Sequence, residues 1–343
     1  MSFSPSPRLM VLDSVKRLLL VLTFVAVAST TVRLNKHLMH EGRFPFPVAL
    51  AWLKMACAST ITLALFGIRP GLFPTLSSLE GRELSALKWF LPIGCAGAVS
   101  FFASYWVYLY CSVTFSQFMK EGNVAITFML SCLIGLQSLS PLRVLIVACV
   151  IGGAAMAVVG ELHIAWTGFF IQLVAQLAEC LYVVMGEAVI GGGGLRLDPL
   201  SFSLLSALSC LAALFVGLVA TWSPLIPHAA ALWWPHLLAT VLLASALNFL
   251  LPYILKEISA MGFMLAGIVR DITLVAFSWA YAHEVVSSAQ WCGFALSLTG
   301  VCAWSLLEAS PDSSECGTRK QLKVPSERTL LRPALEQIKD GKP

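Results

Sequence analysis

"SVTFSQFMKEGNVAITFMLSCLIG" (112–135) is apolar enough to lie in a lipid bilayer, yet Lys120 and Glu121 stand side by side in its middle. An ionisable side chain at mid-membrane costs on the order of 2.5–3.5 kcal/mol by insertion scales, so it faces a bundle interior or a water-filled path rather than lipid. Adjacent residues on a helix point about 100° apart, so Lys120 is not simply neutralised by Glu121. Each needs a separate partner or a wet cavity.

The whole chain has the character of this stretch. Its 343 residues are 58% hydrophobic and 12% charged, with a mean hydropathy of +0.83. A soluble globule carries about a quarter charged residues, so the composition reads as an all-α integral membrane protein whose helices satisfy their own backbone groups in hydrocarbon. A helical span needs about 20 apolar residues. Ten transmembrane helices are predicted: Leu18–Met39, Phe46–Phe66, Lys88–Cys111, Phe115–Leu136, Pro141–Val159, Trp166–Ile190, Leu200–Trp222, Pro235–Lys256, Met261–Ala282 and Ser287–Leu307. The connections are short and leave no room for a soluble catalytic domain. Residues 308–343 are polar, Pro-rich and charged, and read as a disordered cytosolic tail. "VKRLLLVLTFVAVAST" (15–30) has the basic flank and short apolar core of a signal peptide, but the apolar run continues to Leu38. Residues 1–17 are therefore expected to stay attached as a cytosolic N-terminal segment.

With both termini cytosolic, that side holds sixteen of the 22 Lys and Arg residues, and the other side only Arg33, Lys36 and Arg43. The asymmetry sets the orientation, and it makes the net charge of +4 a topology signal with no bearing on nucleic acid. Lys54, Lys120 and Arg270 remain inside the membrane. Ten spans divide into two five-helix halves, 18–159 and 160–307; the odd number per half makes them inverted with respect to each other, as in many secondary transporters. Span four carries "QFMKEGNVAITFML" and span nine "AGIVRDITLVAFSW". Each has a cation followed directly by a carboxylate, with Phe128 and Phe277 at nearly matching offsets.

Two cations on symmetry-related helices suit an anionic substrate, phosphate above all, since Arg offers a planar fork of donors and Lys a compact charge. Glu121 and Asp271 then tune those cations. The plain alternative is that Lys120 and Arg270 pair with intramembrane carboxylates and merely hold helices together. An empty cavity with both cations unpaired reorients less readily than a loaded one, which predicts strict exchange.

The sequence resembles the triose-phosphate and nucleotide-sugar translocator branch of the drug/metabolite transporter superfamily. The likeness is carried, in order along the chain, by "NKHLMHEGRFPFPVALAWLKM" (35–55), "VTFSQFMKEGN" (113–123), "GELHIAWTGFFIQLVAQLAECLYVVM" (160–185), "LDPLSFSLLSA" (197–207), "ISAMGFMLAGIVRDITLVAFSW" (258–279) and "WCGFALSLTGVCAWS" (291–305). It implies a ten-helix exchanger with a central site for a phosphorylated or nucleotide-linked sugar, Lys120 standing at the family's helix-four lysine and Arg270 where the family usually has a helix-nine lysine. Two departures stand out. "EGN" replaces the family's acidic-proline step, and Asp271 occupies the place where plastid sugar-phosphate members carry a second cation. Both tilt the expectation from a small sugar phosphate toward a nucleotide sugar exchanged for a nucleoside monophosphate, and toward the Golgi or endoplasmic reticulum rather than the plastid envelope.

Further polar residues have two readings each. Gln172, Gln176, Glu179 and Glu187 fall within an arc of about 80° in span six, as a cavity lining or as interhelical hydrogen bonds. Asn123 and Asn248 read a base or sugar hydroxyl, or link helices. Tyr105 stacks on a base or packs. Lys54 lies too deep for easy snorkelling and is either a third cavity cation or a structural lysine, whereas Asn35 and Lys36 lie at a span end. The candidate substrate-binding set is thus Lys120, Arg270, Asp271, Glu121, Asn123, Asn248, Lys54, Gln176, Glu179 and Tyr105. Small residues in "CVIGGAAMA" (149–157) and "CGFALSLTG" (292–300) permit close helix packing or a homodimer contact.

No metal site or cofactor is expected, for no CxxC, Walker loop, dinucleotide glycine pattern or HExxH helix occurs. The histidines, His37, His40, His163, His228 and His283 among them, lack catalytic spacing, which disfavours a membrane enzyme. A non-transporting scaffold or regulator, acting through the tail, is the remaining alternative to an exchanger.

Overall fold

The computed structural model describes residues 7–40, 42–76, 79, 83–111, 113–120, 122–137, 139–159, 166–191, 195–282 and 287–309. Glu121, His163, His283, Gly192–Gly194 and the tail beyond Ala309 lie outside the described residues, as does the side chain of Phe277.

Among the described residues the chain is helical and has no strand. The helices are α1 (Pro7–Leu38), α2 (Pro47–Ile68), α3 (Glu83–Trp106), α4 (Val113–Lys120), α5 (Asn123–Ile134), α6 (Pro141–Val159), α7 (Trp166–Gly191), α8 (Pro199–Ala220), α9 (Leu225–Leu232), α10 (Trp234–Glu257), α11 (Ala260–Ala282) and α12 (Ser288–Ala309). Local chemistry sets several starts. Pro47 and Pro199 take the first helical position, where a missing N–H costs nothing. Before α8, the Asp198 carboxylate caps the Ser201 backbone N–H at 3.0 Å.

Among the described residues six stretches are long and apolar enough to cross a bilayer: Val15–Leu38, Pro47–Ile68, Leu84–Leu109, Trp166–Gly191, Pro199–Ala220 and Trp234–Glu257. The protein is a multi-pass membrane protein. Span four departs most from expectation, being divided into α4 and α5 around residues 121–122. Glycine and asparagine at 122 and 123 are poor helix formers. The Gly122 N–H bonds the Met119 carbonyl at 3.1 Å in a tight turn, and a Cβ on Gly122 would lie 3.2 Å from that same oxygen. Its proposed counterpart α11 runs unbroken. The linker after α8 also holds the short helix α9, absent from the sequence reading.

The helices pack so that α6 lies on α12, α3 on α7 and α8, α2 on α8 and α10, and α1 on α10 and α11. α5 contacts α7 and α11. Leu50, Ile93, Phe202 and Trp304 are among the large side chains fully withdrawn into this bundle.

Candidate functional site

A cavity of about 180 Å³ lies between α1, α2, α3, α7, α8, α10 and α11. Apolar and aromatic walls from Phe24, Phe101, Tyr182 and Phe263 surround a small polar set that includes Thr31, Ser100, Ser206 and Asn248. Among the described residues three charged ones reach it: Lys54 from α2, Glu179 from α7 and Arg270 from α11.

Lys54 is 2% exposed. Its ammonium donates to Asn35 Oδ1 and, at 3.1 Å, to Tyr105 Oη, and sits 4.6 Å from the centre of the Tyr105 ring. Asn35 Oδ1 also accepts from Thr240 Oγ1 at 2.9 Å. This junction ties α1, α2, α3 and α10 together with neutral partners.

The other cations are differently held. Arg270 Nε donates to Asp271 Oδ1 at 2.8 Å, and both side chains are largely buried. The long guanidinium stem turns back onto the neighbouring carboxylate, a geometry that the 100° separation of adjacent residues does not forbid when one partner is flexible. Lys120 Nζ stands 3.9 Å from Glu179 Oε2, which also accepts from Asn123 Nδ2 at 3.2 Å. Glu179 lies within electrostatic reach of Arg270 as well, and Asp271 of Lys120, so two cations and two carboxylates from α4, α7 and α11 form one cluster. The sequence reading set two unpaired cations in an empty cavity against cations paired with intramembrane carboxylates. In the structure each has a carboxylate partner, so the argument from two bare charges to strict exchange loses its premise.

The polar stripe of α7 does both things considered for it. Gln176 Nε2 donates to the Met119 carbonyl beside the α4–α5 break. Gln172 Oε1 accepts from Ser116 Oγ at 2.9 Å, and Cys180 Sγ approaches the Asn123 carbonyl at 3.5 Å. Glu187 accepts from the Ala260 backbone N–H at 3.0 Å, capping α11. Only Glu179 of this stripe also lines the cavity.

Of the candidate set, then, Lys54, Tyr105, Glu179, Asn248 and Arg270 line the cavity. Lys120, Asp271, Asn123 and Gln176 stand behind that wall, bound to its members or to the broken helix, and Glu121 lies outside the described residues. Sequence reasoning missed Asn35 as the partner of Lys54, because a residue four positions from a helix end reads as interfacial. It also missed Thr240, Tyr182 and Phe263, whose types carry no distinguishing signal among many like them.

Apolar helices enclosing a buried, charged cavity define a multi-pass membrane protein with an internal polar chamber. The sequence pattern of the Triose-phosphate Transporter family matches residues 15–305, and the chain belongs to that family. Three relatives from Arabidopsis thaliana, each named "Probable sugar phosphate/phosphate translocator", are 24%, 26% and 25% identical to it. The matches cover 84%, 83% and 87% of this chain and 83%, 86% and 88% of the relatives. A crystal structure superposes with a TM-score of 0.60 at 14% identity, over 85% of this chain and 97% of the other, which is a likeness of fold.

Proposed function

We propose that the protein is a secondary transporter that carries a phosphorylated sugar across a membrane in exchange for phosphate or a nucleoside monophosphate. The cavity carries this reading: Lys54, Glu179 and Arg270, from three different helices, meet in a space enclosed by apolar spans. Charge is placed there at a cost that a structural role alone does not require, and the names of the Arabidopsis relatives point to the same substrate class.

Alternating access between two inverted halves is supported by the packing. Counting α4 with α5 as one broken span and α9 as linker gives ten spans. Exchange of the halves then maps α6–α12 and α2–α8 onto themselves, α3–α7 onto α1–α10, and α3–α8 onto α2–α10, all of which pack. The α1–α10 pair is tied at both ends. Lys16 meets Glu257 at 3.0 Å at one. At the other, His37 and His236 stack with centroids 5.3 Å apart, and Trp233 packs beside them under the Arg43 guanidinium. These are contacts that a rocking motion breaks and remakes one end at a time.

A nucleotide sugar is the second reading within this class. Asp271 neutralises Arg270 and disfavours a compact dianion, and the aromatic wall of Phe101, Tyr182 and Phe263 suits a base or sugar ring. Residence in the Golgi or endoplasmic reticulum with cytosolic termini goes with this reading, and protease protection of terminal tags in sealed vesicles tests the orientation. Uptake of radiolabelled hexose phosphate and nucleotide sugar into proteoliposomes, with and without internal phosphate or nucleoside monophosphate, tests the function. Exchange is expected, with Lys120→Ala and Arg270→Ala each nearly abolishing it. Absence of uptake of either class would leave the scaffold alternative standing, and equal uptake into empty vesicles would rule out obligatory exchange.

A further inference from the structure

The cavity's charges are unevenly compensated. Arg270 has Asp271, and Lys120 has Glu179. Lys54, more deeply buried than either, has no carboxylate within ion-pair distance among the described residues; its partners are an amide oxygen, a phenol and an aromatic face. An ammonium has three donors, and two are taken by Asn35 and Tyr105. A buried cation served only by neutral dipoles is held at a large desolvation cost, which an anion entering the same space offsets.

The surroundings hold the ammonium in place from several helices. Asn35 Oδ1 is shared between Lys54 from α2 and Thr240 from α10, so the amide is oriented from the second half of the chain while it holds a cation of the first. Tyr105, 8% exposed, contributes both its hydroxyl and its ring. All four residues are buried, and Lys54 and Tyr105 line the cavity.

We propose that Lys54 is the residue on which the anionic group of the carried molecule, a phosphate ester or phosphate itself, is neutralised, with Asn35, Thr240 and Tyr105 as its positioning residues. This rests on the transport reading above and names the site within it. The phosphate oxygens take the third donor and compete with Asn35 Oδ1 for a second. Asn35 is then left to Thr240, and the tie between α2 and the α1–α10 pair loosens when the cavity is loaded. Arg270, which lines the same cavity with its charge matched by Asp271, is the second contact of the anion, and the Lys120–Glu179 pair behind the wall holds that side in place.

The test uses the full chain, purified in lipid nanodiscs and titrated with inorganic phosphate and, separately, a hexose phosphate, with binding read by calorimetry. Lys54→Gln keeps a donor for Asn35 and removes the charge; phosphate affinity is expected to fall roughly tenfold to a hundredfold. Asn35→Asp leaves Lys54 intact and gives it a built-in counter-ion. It is expected to raise thermal stability and to weaken phosphate by a similar factor, whereas a purely structural lysine would gain its ion pair with affinity unmoved. Wild-type affinity in either variant overturns the assignment of Lys54. Failure of the wild-type protein itself to bind or exchange any phosphate compound would instead defeat the transport reading, and this one with it.

Discussion

Replacing Asp271 with Asn removes the charge that faces Arg270 and leaves the shape of the site nearly unchanged. The two groups are 2.8 Å apart; at an effective dielectric of ~20, Coulomb attraction at that distance is about 6 kcal/mol. Desolvation offsets part of this, and breaking a buried pair from one side typically costs ~3–5 kcal/mol because the surviving charge stays buried. Asp271→Asn is thus expected to lower the stability of the ligand-free protein by that order. If the carried anion meets Arg270, a phosphate ester supplies the missing charge. Ligand at a hundred times its dissociation constant stabilises any two-state protein by ~2.7 kcal/mol, and in this variant the same concentration should return more, because its affinity is higher. Tryptophan-fluorescence melting of both proteins, with and without hexose phosphate, measures the difference. Competition uptake with triose phosphate adds a selectivity readout, since loss of Asp271 should admit a compact dianion more readily. Equal stabilisation of wild type and variant by ligand would refute the placement of Arg270 at the anion. A variant as stable as wild type without ligand would refute the energetic account of the pair.

Gln176→Ala withdraws one of the two donors from the Met119 carbonyl at the helix break and leaves that oxygen to the Gly122 N–H alone, a loss of about 0.5–1.5 kcal/mol; slower exchange and a lower melting temperature are expected, and an unchanged protein would show that the break needs no support from α7. Gly153→Ala places a Cβ 2.4 Å from Ser297 Oγ and 2.6 Å from the Gly293 carbonyl, so α6 and α12 must part, with a loss of about 1–3 kcal/mol visible in thermal denaturation. Asp198 is subject to burial, which alone raises its pKa, but hydrogen bonds from Ser201 and Thr75 outweigh this and hold the carboxyl below its usual range. Its contribution to stability is therefore present above the unfolded carboxylate pKa of about 3.9 and disappears as pH falls through the lower folded value. Melting curves taken from neutral to acid pH should lose less stability in Asp198→Asn than in wild type.

Much of the helical plan was legible because hydrocarbon permits so few backbone solutions. Nine of the ten expected spans coincide with a helix, eight of them closely at both ends; the first lies inside the longer α1, which begins at Pro7 rather than Leu18, and α3 is completed by a 3₁₀ turn at Val107–Leu109. The tenth was read as continuous although Gly122 and Asn123 follow its charged pair, the combination that most favours a break; apolar length outweighed that local signal. The site was legible by residue type and not by grouping. Periodicity put Gln172, Gln176 and Glu179 on one face of α7, but which neighbour that face meets is a tertiary fact. Asn35 and Thr240 are separated by 205 residues and meet on one oxygen, a contact that no local pattern announces.

The broken helix and the uneven charges have a common physical root. A turn inside a bilayer exposes backbone groups that lipid cannot satisfy, so it persists only where protein or a cavity meets them. Here α7 meets them with Gln176 on Met119 and Cys180 near Asn123, and one turn of the same helix places Glu179 against Lys120 and Asn123. Lys120 ends α4 directly before the break, so its position depends on the same contacts that stabilise the turn. Any movement of α7 relative to α4 and α5 must therefore alter the Lys120–Glu179 distance and the cavity wall together, since Glu179 belongs to both. Lys54 stands apart from that linkage, anchored to α1, α3 and α10. The cavity thus has one cationic group, Lys54, fixed by neutral dipoles, and one carboxylate, Glu179, whose pairing with Lys120 varies with helix position.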